Sequence, residues 1–402
     1  MKKIIILGGS FESASFIIEA KKKYKVIVVD KNKYSPGFKY ASYKIFESIY
    51  DYKNIIKILK NKNLKGIVGV ICGGTDAPMT VYKISKFLNL KCYSYKTAKL
   101  FSNKYLMKKE LIKYGIRTPW FKKINNFREL KKILKIKKYL VLKPCDNRGG
   151  RGVFLINRKN ENIISLYNEA KKLKKLNYLI VEEFIEGEQY STESIILNNN
   201  SYTPGFCRRN YDDTKRFYPN IIENGGDQPV NLNQKIKKQI TNLVVKAGRV
   251  LGLKEGILKG DVVLSKNKKP CIIEVACRLS GGWFSSHQIP HATGVNIIKA
   301  AIDIACSQKI NQKFLINKYQ KSVGIRYFFP KNGRLIKITL PKKTKKKNNI
   351  IKLMFFKKIG NRIGSVESHV DRMGFVIIKE ENKSKLIKEL NYFVKNTKID
   401  TV

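Results

Sequence analysis

One lysine and two acids, far apart in the chain, carry the clearest chemistry. Lys143 closes the apolar run Tyr139-Leu140-Val141-Leu142-Lys143-Pro144, and Cys145-Asp146-Asn147-Arg148-Gly149-Gly150-Arg151-Gly152 follows it. Glycines let successive backbone N–H groups curl around phosphate oxygens without a side-chain clash. A lysine at the strand end adds a point charge, as in phosphate sites generally. The run is no Walker loop, because G-K-[ST] is missing and a second short strand, 153–156, is predicted where that loop needs a helix. A flexible hairpin with no ligand is the plain alternative; Lys143 with Arg148 and Arg151 beside it favours phosphate. The acids are Asp261, in the run 256–264, and Glu274, in the run 270–275. Two short strands joined by Ser265-Lys266-Asn267-Lys268-Lys269 form a hairpin that puts both carboxylates on one side, near Arg278. That arrangement suits Mg²⁺ bridging to phosphates. The alternative is a surface ion pair, which contributes little.

These groups need a scaffold. Residues 3–7 and 25–29 predict short buried strands, with a helix at 11–22 between them, a second helix at 51–63 and a third strand at 66–71. Such alternation predicts a parallel sheet with helices on its faces. The first loop, Gly8-Gly9-Ser10-Phe11-Glu12-Ser13, with Asp30 about 20 residues on, only partly follows the dinucleotide fingerprint G-x-G-x-x-G; a tight strand-to-helix turn is the simpler reading. Asp76, after the third strand, either touches a substrate or caps a helix at 78–88. Residues 95–135 read as helices around an extended piece, Arg117-Thr118-Pro119-Trp120. A strand from Tyr178 and an alternating run from Gln189 to Leu197 follow, and 322–329 and 373–379 read as strands near the end. The basic run 341–347 reads as a solvated loop.

Composition bounds the function. The 402 residues suit two to three domains, and 43% hydrophobic content rules out global disorder. The net charge of +52 suggests polyanionic partners. The charge is carried by 68 lysines against 14 arginines, however, and is spread along the whole chain. A dedicated nucleic-acid binder favours arginine at its contacts, so the charge reads as solvated surface. Seven cysteines without a C-x-x-C pair argue for reduced thiols and a cytoplasmic setting. The three histidines, His287, His291 and His369, lack zinc-site spacing. The apolar run behind Met1 is too short for a signal peptide, and no stretch of apolar residues is long enough to span a membrane.

In this order and spacing the pieces resemble the ATP-grasp superfamily of carboxylate–amine and carboxylate–thiol ligases, which includes biotin carboxylase and carbamoyl-phosphate synthase. The resemblance covers nearly the whole chain. It implies a mixed α/β and α+β fold. A Rossmann-like pre-ATP-grasp domain would occupy 1–95, and a two-lobed ATP-grasp domain 96–310, its lid lobe at about 120–188. A small C-terminal β-rich piece would occupy 311–402. It further implies ATP and Mg²⁺ as cofactors. Lys104 would contact phosphate, and Lys143 the α- and β-phosphates. Gly149, Gly150 and Gly152 would form the mobile loop over the triphosphate. Glu182 would accept from the adenine amino group, with Phe184 and Ile185 completing adenine recognition. Gln189 stands where the family usually has a ribose-binding acid, with Glu188 and Glu193 as substitutes. Asp261 and Glu274 would hold Mg²⁺ and Arg278 would stabilise the transferring phosphate. In the pattern E-x-N-x-R, Ala276 replaces the usual third ligand, asparagine.

The activity so implied is phosphorylation of a small-molecule carboxylate by ATP, then attack of an amine on the acyl phosphate, with ADP and phosphate released. The alternatives are a bicarbonate-phosphorylating carboxylase of the purine-pathway type, a nucleotide-binding protein without catalysis, and a charge-driven nucleic-acid binder. Asp76, Arg208, Arg209, Glu223 and His287 are substrate-site candidates by position and charge. The partners are then the small-molecule carboxylate and amine. Superfamily members often form dimers, so a homodimer is compatible.

Overall fold

Ile4, Ile5, Ile6 and Leu7 have no exposed surface. A strand that is apolar on both faces has to be covered on both. The computed structural model, which describes every residue except Lys175 and 343–347, shows how. Lys3–Leu7 lies between Lys25–Val29 and Ile67–Cys72 in a parallel sheet edged by Tyr43–Ile45. Helices Tyr52–Asn61 and Pro78–Phe87 bury Ile55, Leu59, Val81 and Ile84 against one face. Helix Phe11–Lys21 covers the other with Phe16 and Ile17. Helix Ile297–Ala305, from the middle of the chain, joins it there and ties this sheet to the rest of the molecule. The first loop is a turn: the Gly9 N–H donates to Asp30 Oδ2 at 2.8 Å, so Asp30 locks the loop from the next strand.

A second sheet, all antiparallel, has the order Phe121–Ile124, Leu179–Glu183, Tyr139–Pro144, Phe154–Asn157. Its hairpin Tyr139–Asn157 is the predicted glycine-rich one. The predicted extended piece Arg117–Trp120 precedes the strand, which begins at Phe121 in a segment expected to be helical. Phe121-Lys122-Lys123-Ile124 is too short and too lysine-rich to show a strand pattern, and it forms because Leu179–Glu183 offers an edge.

The largest sheet has eight strands. Pro270–Ala276, Glu255–Ser265, Gly187–Leu197, Asn200–Asn210 and Gly225–Gln228 come from the middle of the chain. Ser322–Phe328, Gly374–Glu380 and Ile350–Phe355 continue it from the C-terminal part. Helix Gln234–Val250 packs Ile240, Val244 and Ala247 beneath Leu258, Val262 and Ile272. The C-terminal strands carry helix Lys383–Asn396, with Leu386, Leu390 and Phe393 buried. Sharing one sheet fixes the C-terminal segment against the centre, so its side chains can line a common cleft. The predicted basic loop lies, from residue 343 onward, outside the described residues. Among the described residues no helix is long and apolar enough to cross a membrane.

Candidate active site

The three sheets surround a cleft of about 710 Å³. Lys143 enters it from the end of its strand, and Asp261, Glu274 and Arg278 come from the facing hairpin and its exit. Lys143 Nζ lies 2.9 Å from Glu182 Oε2. The other oxygen, Oε1, is 3.4 Å from Lys108 Nζ, yet it is buried and accepts no hydrogen bond among the described residues. An unfilled acceptor in a cleft also lined by Phe184 and Ile185 fits a base with an exocyclic amino group. Lys108 itself is 1% exposed and donates to the Ile273 carbonyl at 2.9 Å. Burial lowers its affinity for a proton despite the neighbouring Glu182. Gln189 also lines the cleft.

The glycine loop closes one side. Gly149, Gly150 and Gly152 have φ of +68°, +73° and +68°, a region other residues enter only with strain. A Cβ on Gly149 would meet nothing within 4 Å, which leaves room beside its backbone. Gly152 is turned away and packs against Leu173 and Pro144. Lys104 Nζ joins the loop to the acids: it donates to the Asn147 carbonyl at 2.7 Å and lies 3.1 Å from Glu274 Oε1.

Asp261 and Glu274 stand directly opposite each other in the antiparallel register. Burial works to raise both carboxyls, and cationic neighbours overcome it: Lys104, Lys143 and Lys259 for Glu274, Lys259 and Arg209 for Asp261. Both are therefore held below the ordinary carboxylate range. Asp261 is bonded to Lys259, accepts from Ser191 Oγ at 2.9 Å and lies 3.5 Å from Arg209 Nη1. Two ionised carboxylates facing each other across a strand pair in a phosphate-sized cleft fit one divalent cation. At Ala276 the side chain has no donor atom, and no group of three or more His, Cys, Asp or Glu clusters as a metal set among the described residues.

Beyond the acids the cleft is built from distant segments. Glu12, in the first turn of helix Phe11–Lys21, accepts the Gly282 N–H at 2.7 Å. A Cβ on Gly281 would collide with that carboxylate, so a larger residue there would displace Glu12 from its present position. Burial pushes the Glu12 carboxyl up, while the Gly282 N–H, Arg372 and Arg278 pull it back. Trp283 has a φ of +59°, a strained conformation for a bulky residue. Its ring compensates by packing 4.0 Å from Phe375 and 5.6 Å from Phe356, centroid to centroid. Arg209 holds Glu223 Oε2 through Nε at 3.0 Å. Arg372 donates to the Glu223 carbonyl at 2.6 Å and sits 3.7 Å over the Tyr327 ring. The Nε atoms of Arg278 and Arg372 are buried without a hydrogen-bond partner among the described residues. His369 Nε2 accepts the Glu223 N–H at 3.3 Å, and the His369 N–H donates to the Gly149 carbonyl at 3.1 Å. Burial, then Arg372 and Arg209, keep this imidazole neutral well below its usual range.

Of the sequence candidates, Lys104, Lys143, Gly149, Gly150, Glu182, Phe184, Ile185, Gln189, Asp261, Glu274, Arg278, Arg209 and Glu223 line this cleft. Arg208 does not: neighbours on a strand point to opposite faces, and it pairs with Glu188 and Asp212 in a separate depression. His287 lies outside too, bonded to Ser286 and 3.4 Å from Lys352. Asp76 lines a neighbouring cavity of about 650 Å³ and meets the cleft through two of its lining residues: its carboxylate lies 3.5 Å from Arg278, and its carbonyl accepts from Arg148 at 2.9 Å. It does not cap the helix, whose N-cap is Ala77. Glu193 is fully buried and holds Ser280 and Ser285, so it is no substitute for the ribose acid, and Glu188 is taken by Tyr190 and Arg208. The sequence reading assigned no role to Lys108, Lys259, Glu12, Tyr327, His369 or Arg372. Glu12 sat inside a motif already quoted, whereas His369 and Arg372 carried no local signal.

Comparison with known proteins follows the same division. Residues 101–282 match the ATP-grasp domain, and residues 326–402 match the L-amino acid ligase C-terminal domain 2. The chain is 27% identical over 255 residues to alanine–anticapsin ligase of Bacillus subtilis (strain 168), covering 58% of this chain and 52% of that protein. It thus spans about half the length of that relative. Tyramine–L-glutamate ligase of Methanocaldococcus jannaschii is 24% identical over 331 residues, covering 78% of this chain and 92% of that protein. Among solved structures, L-amino acid ligase from Bacillus licheniformis superposes with a TM-score of 0.86 at 18% identity, over 100% of this chain and 99% of the other, which establishes the shared fold. Residues 101–282 thus form an ATP-grasp domain, and residues 326–402 match the C-terminal domain of L-amino acid ligases.

Proposed function

We propose that this protein is an ADP-forming ligase that activates a small-molecule carboxylate with ATP and joins it to an amine. One observation carries the reading: Lys143, the glycine loop, Asp261, Glu274 and Arg278 converge on a single cleft whose far end holds unsatisfied guanidinium N–H groups and a carboxylate. In the first step a carboxylate oxygen attacks the γ-phosphorus and ADP leaves. In the second the amine attacks the acyl carbonyl, loses a proton, and phosphate departs. The residues position and neutralise charge, since phosphoryl transfer needs little covalent help. Lys104, Lys143 and Arg278 offset the negative charge of the phosphates. A divalent cation, held by Asp261 and Glu274, would neutralise further phosphate charge when bound. The glycine loop, tied to His369, excludes water that would hydrolyse the acyl phosphate.

An α-amino acid suits the far end as one of the two partners. Glu12 offers a carboxylate to an ammonium group, and Arg372 offers a free N–H to a carboxylate. The relatives named alanine–anticapsin and tyramine–L-glutamate ligase act on such molecules. The division at 1–95, 96–310 and 311–402 and a cytoplasmic setting for the free cysteines belong to the same proposal. The test is an ADP-release screen of carboxylic acids crossed with amines, amino acids included, with mass detection of products. The expected result is ADP only when both partners are present, with a product equal to their sum less water. ADP release with bicarbonate alone would favour the carboxylase alternative. ATP binding without turnover on any pair would favour a non-catalytic protein.

A further inference from the structure

Ala276 leaves a gap in the metal-binding pattern, and the opposite strand fills it. In the antiparallel pair Glu255–Ser265 and Pro270–Ala276, Lys259 faces Ala276 and Asp261 faces Glu274. Residues two apart on a strand share a face, as do directly opposed residues. All four therefore point the same way, and all four line the cleft. The methyl group of Ala276 occupies little of the space between the strands. Lys259 lies across from it, and its ammonium is bonded to Asp261 Oδ2. The other oxygen, Oδ1, takes Ser191 Oγ at 2.9 Å and Arg209 at 3.5 Å. Asp261 thus already holds a fixed positive charge on the side where Ala276 offers no ligand. Glu274 forms an ion pair with Lys104, at 3.1 Å, a side chain that also reaches the glycine loop.

We propose that the Lys259 ammonium takes the place of one divalent cation, so that the chain uses one metal ion, between Asp261 and Glu274, where the family pattern provides for two. This rests on the ligase reading above. The lysine and the alanine form a compensating pair: a neutral methyl in place of a donor removes one cation's coordination, and the facing ammonium restores the positive charge beside the phosphates. A lysine is suited to this role, being a compact charge on a flexible stem. It also needs no ligand from position 276, where Ala276 offers none.

The experiment uses the full chain with Mn²⁺ as probe and an ATP analogue with a methylene β,γ bridge, read by electron paramagnetic resonance. Two Mn²⁺ ions sharing one carboxylate show spin-exchange coupling; one does not. The wild type is expected to give only the single-ion spectrum at Mn²⁺ excess. The double variant Lys259→Ala with Ala276→Asn is expected to gain the coupled spectrum. Lys259→Met, which keeps the length and drops the charge, is expected to retain single-ion loading while ADP formation falls by about 100-fold, the order seen when a charge-stabilising group is removed. A coupled pair in the wild type would overturn the inference and leave the ligase reading standing. So would a double variant that loads one ion and stays uncoupled, or a fully active Lys259→Met. Mn²⁺ binding that ignores the nucleotide altogether would overturn both.

Discussion

The two ends of the cleft are made differently. The nucleotide end draws on short contiguous motifs: the strand and loop at 139–152, the strand Leu179–Glu183 with Phe184 and Ile185, and the hairpin bearing Asp261 and Glu274. The far end draws one or two side chains from each of several remote segments: Glu12, Arg209, Glu223, Trp283, Tyr327, His369 and Arg372. Its polar groups are tied to each other or, as with the Arg372 Nε atom, left without a hydrogen-bond partner among the described residues. The difference teaches how such a cleft divides its work. A constant nucleotide can be met by backbone loops and point charges in fixed order, whereas a variable substrate is met by side chains that the fold assembles.

Substitutions at the two ends separate these roles. The largest effect is expected at Lys143. Lys143→Ala should lower kcat for ADP formation by about 1000-fold, the scale of losing a preorganised charge at a developing anion, with the fold intact by circular dichroism. Unchanged ADP release by the purified variant would break the comparison at its nucleotide end. Glu274→Ala should weaken Mg²⁺-dependent nucleotide binding by roughly 100-fold while binding without Mg²⁺ changes little, a loss of about 2.7 kcal/mol. Equal affinities with and without Mg²⁺ in both proteins would remove the metal assignment.

At the far end, Glu12→Gln should raise KM for one organic substrate by about 10- to 100-fold, the loss of a charge-assisted hydrogen bond, and leave KM for ATP in place. A shift in KM for ATP alone would move Glu12 to the wrong end. The smallest effect concerns a residue outside the cleft. Burial, then Lys352 and His291, push His287 down to about 4. The unfolded chain titrates near the ordinary histidine value of about 6.5 and so binds more protons below it. Stability is therefore present above pH 6.5 and declines as pH falls toward about 4. In His287→Gln, Tm should fall less steeply over that interval; an identical slope would show that other groups carry it.

Much of the fold was legible because strands buried on both faces announce themselves: 3–7, 25–29 and 66–71 are continuous apolar runs. The short strand Phe121–Ile124 was not, because its lysines hide the pattern and its partner is 55 or more residues away. At the nucleotide end, residue type and order sufficed to place Lys143, Asp261 and Glu274 together. At the far end charge and proximity misled at Arg208 and His287. Strand alternation turns Arg208 out while Arg209 turns in, and no alternation can be read without the pairing of Asn200–Asn210. Arg372 and His369 reach the cleft only because C-terminal strands extend the central sheet, a relation between distant segments that no local pattern records. Lys259 was visible beside Asp261, but its meaning depends on facing Ala276, which is a fact of register.

The central claim is that a carboxylate is activated by taking the γ-phosphoryl group of ATP. It is tested most directly by supplying the carboxylate partner found in the substrate screen, labelled with ¹⁸O, and weighing the inorganic phosphate released. The account predicts one ¹⁸O in each phosphate, with ADP as the nucleotide product. Unlabelled phosphate, or AMP and pyrophosphate in place of ADP and phosphate, would contradict it.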